Sequence, residues 1–263
     1  MHSRRHSRRL RIASYNVHSW IGRDRRCDPG RVVDVIRELD ADLVALQEAR
    51  HDRAEELLDR PLAGLCGEAG YELIEGPTRL HEESTFGNVL LSQIPISKLS
   101  RIDLTVARRE PRGALSAEID RGGLTVQIVA THLGLRARER ESQVSKLLDW
   151  IGSGVAETGP DVVSLLGDFN EWRPRAAALR RIESAFGRSA APRTFPAWSP
   201  WLRLDRIWVL PRSTLRGSAH VHRSAKARLA SDHLPVVADL QLPRRAGSRL
   251  PSEEADEADH AFE

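Results

Sequence analysis

The chain has 263 residues, 40% of them hydrophobic and 29% charged. That length and mixture suit one large folded domain and exclude a low-complexity or fibrous chain. No apolar run approaches the ~20 residues of a membrane span, and the basic opening MHSRRHSRRLRIAS leads into no apolar stretch, which argues against a secretory leader. Cys27 and Cys66 are far apart and in no CxxC pattern. This excludes a disulfide framework or a thiolate zinc site and fits the reducing cytoplasm. The net charge is +3, with five arginines and no acid in residues 1–11, three arginines and six acids in residues 241–263, and +1 left for residues 12–240. A nearly neutral body carries no global basic footprint for long nucleic acid.

In chain order, residues 1–9 form a basic tail with nothing to bury. Arg11–Val17 alternates as a strand does. Asp28-Pro29 opens a helix, with Asp as N-cap and Pro in the first turn, and Val32, Val35, Ile36 and Leu39 follow helical spacing. Asp42–Leu46 predicts a strand ending in Gln47-Glu48, and Arg53–Leu65 a helix. Strands are predicted at Tyr71–Glu75, Gly87–Ser92, Ile96–Val106, Ala114–Asp120 and Leu124–Thr131, the last two joined by a hairpin at Arg121-Gly122-Gly123. Arg138–Ile151 predicts a helix with Val144, Leu147, Leu148 and Ile151 on one face. Asp161–Leu166 is a buried strand, and Arg203–Leu210, Arg216–His222 and Pro235–Leu240 complete a set of about ten strands and four helices in a large α/β or α+β domain. Residues 243–263, rich in Gly, Ser, Pro and acids, have a disordered composition.

Polar residues recur at the ends of these strands: Asn16 and His18, Gln47-Glu48, Thr131-His132, Asp168 to Asn170, Asp205, and Asp232-His233. Strand ends are where reactive side chains converge on a rigid scaffold. Oxygen donors without thiols favour a hard cation such as Mg²⁺ or Mn²⁺, which keeps waters and binds phosphate. The histidines then serve as acid, base or phosphate donor. Each residue alone has an ordinary alternative. Asn16 caps a turn, Glu48 caps the following helix, Asp168 and Asn170 form an Asx-turn, and Asp205 pairs with an arginine.

Taken together, IASYNVH at 12–18, ADLVALQE at 41–48, FGNVLLSQIPI at 86–96, RGAL at 112–115, VATHLGL at 129–135, LLGDFNEW at 165–172, LDRIWV at 204–209 and SDHLPVVADL at 231–240 resemble the endonuclease/exonuclease/phosphatase superfamily. That group includes deoxyribonuclease I, and the compact length is most similar to its small stand-alone bacterial phosphodiesterases. The resemblance implies a four-layer α/β/β/α sandwich over residues 10–242, with two mixed sheets face to face and helices outside. It implies Asn16, Glu48 and Asp232 as ligands of Mg²⁺, with Mn²⁺ as substitute. Asp168 and Asn170 would orient the attacking water and the phosphate. His233, fixed by Asp205, and His132 would contact the phosphoryl group, while Asn88 and Arg112 would touch phosphate. The implied activity is phosphodiester hydrolysis by a monomer, on nucleic acid first. The alternatives are a phospholipid headgroup, a phosphomonoester, or a catalytically inactive binding module. His18 stands where one branch of the family has an acid, and is read either as filling a local hydrogen bond or as structural. Glu82 or Glu83 is a candidate to orient His132. Phe195, Trp198 and Trp201 read either as a lip around the site or as a loop packed on the core, and the basic N-terminus offers weak contact to an anionic surface.

Overall fold

A computed structural model of the protein describes residues 8–50, 61–81, 84–189 and 191–244. The expected tails, the Glu82/Glu83 pair and most of the expected helix Arg53–Leu65 lie outside those residues, apart from a few positions at their borders. In chain order the elements are β1 (Arg9–Asn16), α1 (Pro29–Leu39), β2 (Leu43–Arg50), α2 (Leu62–Glu68), β3 (Glu72–His81), β4 (Ser84–Ser92), β5 (Ile96–Asp103), β6 (Gly113–Arg121), β7 (Leu124–His132), α3 (Ala137–Thr158), β8 (Val162–Asp168), α4 (Ala177–Phe186), β9 (Asp205–Leu210), β10 (His220–Val221), α5 (Ala225–Ala230) and β11 (Val236–Gln241).

Two mixed sheets result, one in the order β10-β11-β1-β2-β4-β3 and one in the order β5-β6-β7-β8-β9. The period-two alternation of the strands sorts the core into layers. Leu10 and Ile12 of β1 pack with Ile128 and Ala130 of β7 between the sheets. Ala13 and Tyr15 face the opposite way, onto Val32, Ile36 and Leu39 of α1 and Ala227 of α5. Val129 and Leu165 of the second sheet face Val144 and Leu147 of α3 and Ile182 and Phe186 of α4. This is the four-layer sandwich that the sequence resemblance implies.

Most expected elements appear at their predicted places, and the differences have local causes. Asp28 caps α1 by accepting from the Arg31 amide at 2.9 Å. The hairpin turn consists of Gly122 and Gly123, at φ 65 and 76, the left-handed pair that matches strand twist. β5 stops at Asp103, three residues before the expected end, because Asp103 Oδ1 takes the Thr105 amide at 2.8 Å and turns the chain. The strand expected over Arg216–His222 shrinks to His220–Val221, since the chain touches β11 at Leu215 and then turns at Gly217, φ 70. α3 runs seven residues beyond Ile151 and ends at Gly159 in the left-handed conformation. The sequence reading did not place α4 or α5.

Parallel strands β7 and β8 put His132 beside Asp168 and Thr131 beside Gly167. A Cβ on Gly167, whose φ is 150, would lie 1.9 Å from the Thr131 carbonyl oxygen. Gly167→Ala must therefore push strands β7 and β8 apart. The expected loss is about 2 kcal/mol, at the level of core overpacking. Urea unfolding measures it, and an unchanged midpoint would contradict this account.

Candidate active site

Strands β1, β2, β7, β8 and β9 bring their polar ends to one edge of the sandwich. β2 reaches it through a bulge. Its register against β4 shifts between Leu46 and Ala49, so Gln47 and Glu48 share one position of the partner strand. Bulges re-aim side chains, and here the extra residue Glu48 takes φ 56. Asn16, at the end of β1, donates from Nδ2 to Glu48 Oε1 at 2.9 Å and to Asp168 Oδ2 at 3.0 Å. One amide thus gathers two carboxylates. Burial raises the Glu48 pKa, the Asn16 hydrogen bond opposes this, and the Asp168 charge adds to it.

His18 fills the local hydrogen bond expected of it. Its amide donates to Asn16 Oδ1 at 3.0 Å, and its Nδ1 lies 3.2 Å from the Ile21 carbonyl. Since a carbonyl only accepts, Nδ1 carries the proton. Ser231 Oγ donates to the Asn16 carbonyl at 2.8 Å, which ties the start of the Asp232-His233 segment to β1. Asp232 Oδ1 is 3.8 Å from His18 Nδ1.

The two histidines flank Asp168 symmetrically, with each Nε2 3.7 Å from Asp168 Oδ2. Their surroundings differ. His233 Nδ1 is 2.9 Å from Asp205 Oδ2, and the Phe195 ring lies on the imidazole at a centroid distance of 4.9 Å. Burial works against a charged His233, but Asp205 and then Asp168 outweigh it and push its pKa up to about 10. His132 instead faces the Arg112 guanidinium, with Nη1 3.4 Å from Nδ1. Burial, and then the Arg112 charge, push its pKa down to about 3. The surroundings therefore favour the charged form of His233 and the neutral form of His132. Asn170, held at φ 50, donates its amide to Asp168 Oδ1 at 2.8 Å and its Nδ2 to the Leu133 carbonyl at 2.9 Å. The same Nδ2 is 3.0 Å from His132 Nε2. A neutral imidazole has one acceptor nitrogen, so the His132 ring takes an N–H from Arg112 or Asn170, one at a time.

All eight expected catalytic and metal-binding residues thus lie at this edge. Arg112 joins them, held from behind by Glu110 at 2.9 Å. Asn88 is buried and commits its Nδ2 to the Gly113 carbonyl at 2.9 Å, which ties the two sheets together. Sequence reasoning missed the support beneath. Arg140 of α3 donates to Glu171 Oε2 at 2.6 Å and to the Gly134 carbonyl at 3.1 Å. It joins the loop after His132 to the loop after Asp168. The visible signal was an arginine on the apolar face of α3, one turn before Val144.

The family pattern described as Endonuclease/Exonuclease/phosphatase family matches residues 13–233. The chain belongs to this family. It is 30% identical over 253 residues to the uncharacterised protein YbhP of Escherichia coli K12, across 89% of this chain and 96% of that one. Among solved structures, it is similar to an endonuclease/exonuclease/phosphatase from Beutenbergia cavernae, with a TM-score of 0.65 and 25% identity over 89% of this chain and 72% of that one. The mannosyl-6-phosphatase Bt3783 of Bacteroides thetaiotaomicron shares the fold, with a TM-score of 0.69 and 17% identity over 88% and 99%. As a member of the endonuclease/exonuclease/phosphatase family, the chain is a hydrolase of phosphoester bonds.

The side chains of this edge fit a metal ion. The converging Glu48 and Asp168 carboxylates carry repulsion that a cation relieves, and their oxygens are hard donors. Asp168, Asp205 and His233 also offer ligand atoms within 4.8 Å of one another. Of these three, His233 is already paired with Asp205, Nδ1 to Oδ2 at 2.9 Å. No helix among the described residues is long and apolar enough to cross a membrane.

Proposed function

We propose that the protein is a Mg²⁺-dependent phosphodiesterase, with Mn²⁺ as a substitute metal, that hydrolyses nucleic acid as a cytoplasmic monomer. The observation that carries this reading is the Glu48–Asn16–Asp168 cluster flanked by two histidines, one paired with Asp205 and the other facing Arg112. Glu48, Asn16 and Asp232 would hold the metal, which supplies Lewis-acid stabilisation of the phosphoryl oxygens when bound. Asp205 and Asp168 favour the protonated form of His233, which suits donation from its Nε2 to a non-bridging oxygen. Asp205 keeps that proton on the ring and orients it. Asn170 Nδ2 and His132 add neutral hydrogen bonds where charge develops. Asp168 Oδ2, within reach of both Nε2 atoms, is then the acceptor for the proton of the attacking water.

Charge balance favours a diester over a monoester. Arg112 is buried and already faces Glu110 and His132, so His233 is the cationic donor left for the phosphate. One imidazolium and one divalent ion suit a monoanionic diester better than a dianionic monoester. Cys27 and Cys66 share no disulfide, which supports a reducing compartment. The test is Mg²⁺-dependent release of nitrophenol from bis(4-nitrophenyl) phosphate, compared with 4-nitrophenyl phosphate. The diester is expected to turn over at least about tenfold faster, a barrier difference of ~1.4 kcal/mol. A preference for the monoester would move the protein to phosphatase chemistry, and activity unaffected by EDTA would remove the metal from the account.

A further inference from the structure

Among the described residues, the four large apolar side chains that are more than half exposed, Leu135 at 68%, Trp201 at 63%, Trp198 at 61% and Trp172 at 54%, lie on the loops that carry the reactive residues. Trp172 follows Asn170 by two positions. Trp198 and Trp201 belong to the turn whose Phe195 covers His233 and whose Ala197 amide donates to the Asp232 carbonyl at 2.6 Å. Leu135 follows His132 by three. Segments 133–136, 169–176 and 193–204 together carry five arginines and one acid, Glu171, which is buried and pairs with Arg140 through Oε2 and with Arg173 through Oε1. These loops are therefore basic around the carboxylates of the edge, although residues 12–240 are nearly neutral.

We propose that these loops form a binding platform for single-stranded nucleic acid, in which Trp172, Trp198 and Trp201 stack unpaired bases and the neighbouring arginines, among them Arg173 and Arg203, hold flanking phosphates. The proposal rests on the phosphodiesterase reading of the same site and names its substrate as an unpaired strand. Indoles stack on any base, and each stacked base contributes on the order of 1–3 kcal/mol. Bases inside a duplex present edges, so the indoles gain nothing from paired substrate. The spacing also fits. Trp172 is followed directly by Arg173, whose guanidinium carbon lies 5.9 Å from its ring centroid, and Trp201 precedes Arg203 by two positions. Each nucleotide brings one base and one phosphate, which calls for this alternation of aromatic and cation.

The test is fluorescence anisotropy of a short phosphorothioate oligodeoxynucleotide, single-stranded or annealed to its complement, with the full-length protein and its W172A, W198A and W201A variants. These side chains are exposed, so the variants keep the fold. The single strand is expected to bind about tenfold more tightly than the duplex, and each Trp→Ala to weaken it about tenfold. Trp201→Phe should recover most of the loss at that position, since a phenyl ring still stacks. Equal affinity for single strand and duplex, or unchanged affinity in all three variants, would overturn the proposal. Binding to equimolar phosphatidylglycerol/phosphatidylcholine vesicles without binding to the oligonucleotide would overturn it in favour of a lipid surface. Hydrolysis of bis(4-nitrophenyl) phosphate is followed in parallel. Turnover of the small diester without strand binding ends this proposal alone, and strand binding without turnover ends the phosphodiesterase reading alone.

Discussion

Glu48→Ala is expected to lower Mg²⁺-dependent turnover of bis(4-nitrophenyl) phosphate by at least about 10³-fold. A bound divalent ion is worth several kcal/mol of charge stabilisation, and each ~1.4 kcal/mol is tenfold in rate. The fold should survive. Glu48 keeps 26% of its side chain exposed, and its removal relieves the repulsion with Asp168, so the urea midpoint without metal should not fall. Calorimetric titration with Mg²⁺ should lose its heat in the same variant. An unchanged rate, or Mg²⁺ binding as tight as in the native chain, would remove Glu48 from the metal site. The acid side of the pH profile follows from the same residue. Burial and Asp168 raise its pKa, while the metal needs the ionised carboxylate. Activity should therefore decline as pH falls, starting above the ~4.3 of an ordinary glutamate.

The elements and the candidate residues at strand ends were legible in local patterns, while the four-layer sandwich came from the family resemblance. Alternation in β1 and β7, the Asp28-Pro29 helix start and the Gly-Gly turn each specify their own element. GDFN and SDHLP place Asp168, Asn170, Asp232 and His233 at strand ends, and the structure brings them together with Asn16, Glu48, His132 and Asp205. What the sequence did not reveal depends on approach through space. The bulge that turns Glu48 toward Asn16 exists only in the register of β2 against β4. The guanidinium beside His132 comes from Arg112, twenty residues away. The Arg140–Glu171 pair joins a helix to a loop 31 residues on. The shortened β10 fails by the same logic, since its apolar and polar residues alternate acceptably but the chain turns away from β11 at Gly217.

The unequal histidines lead to the other large effect. His233→Ala is expected to slow turnover by about 10²–10³-fold, the range for loss of one donor to an oxygen on which charge develops. His132→Ala should cost less, because a neutral imidazole supplies one hydrogen bond and no charge. Asp205→Asn separates the charge from the ring's position. The amide can still accept from Nδ1, but the carboxylate that chiefly supports the imidazolium is gone. For the native chain the sign is fixed by a folded pKa raised to about 10. Protonated His233 contributes fully below the unfolded value of ~6.5, and its contribution to activity and to stability is lost as pH rises through about 10. In Asp205→Asn the alkaline decline in rate should begin at lower pH, while activity at the most acidic workable pH falls least. A profile that keeps its alkaline limb in place would show that Asp205 does not support the charge. A loss below tenfold in His233→Ala would reduce His233 to a packing partner of Phe195. Both outcomes are read from rate against pH, which a purely structural defect would lower evenly without moving its limbs.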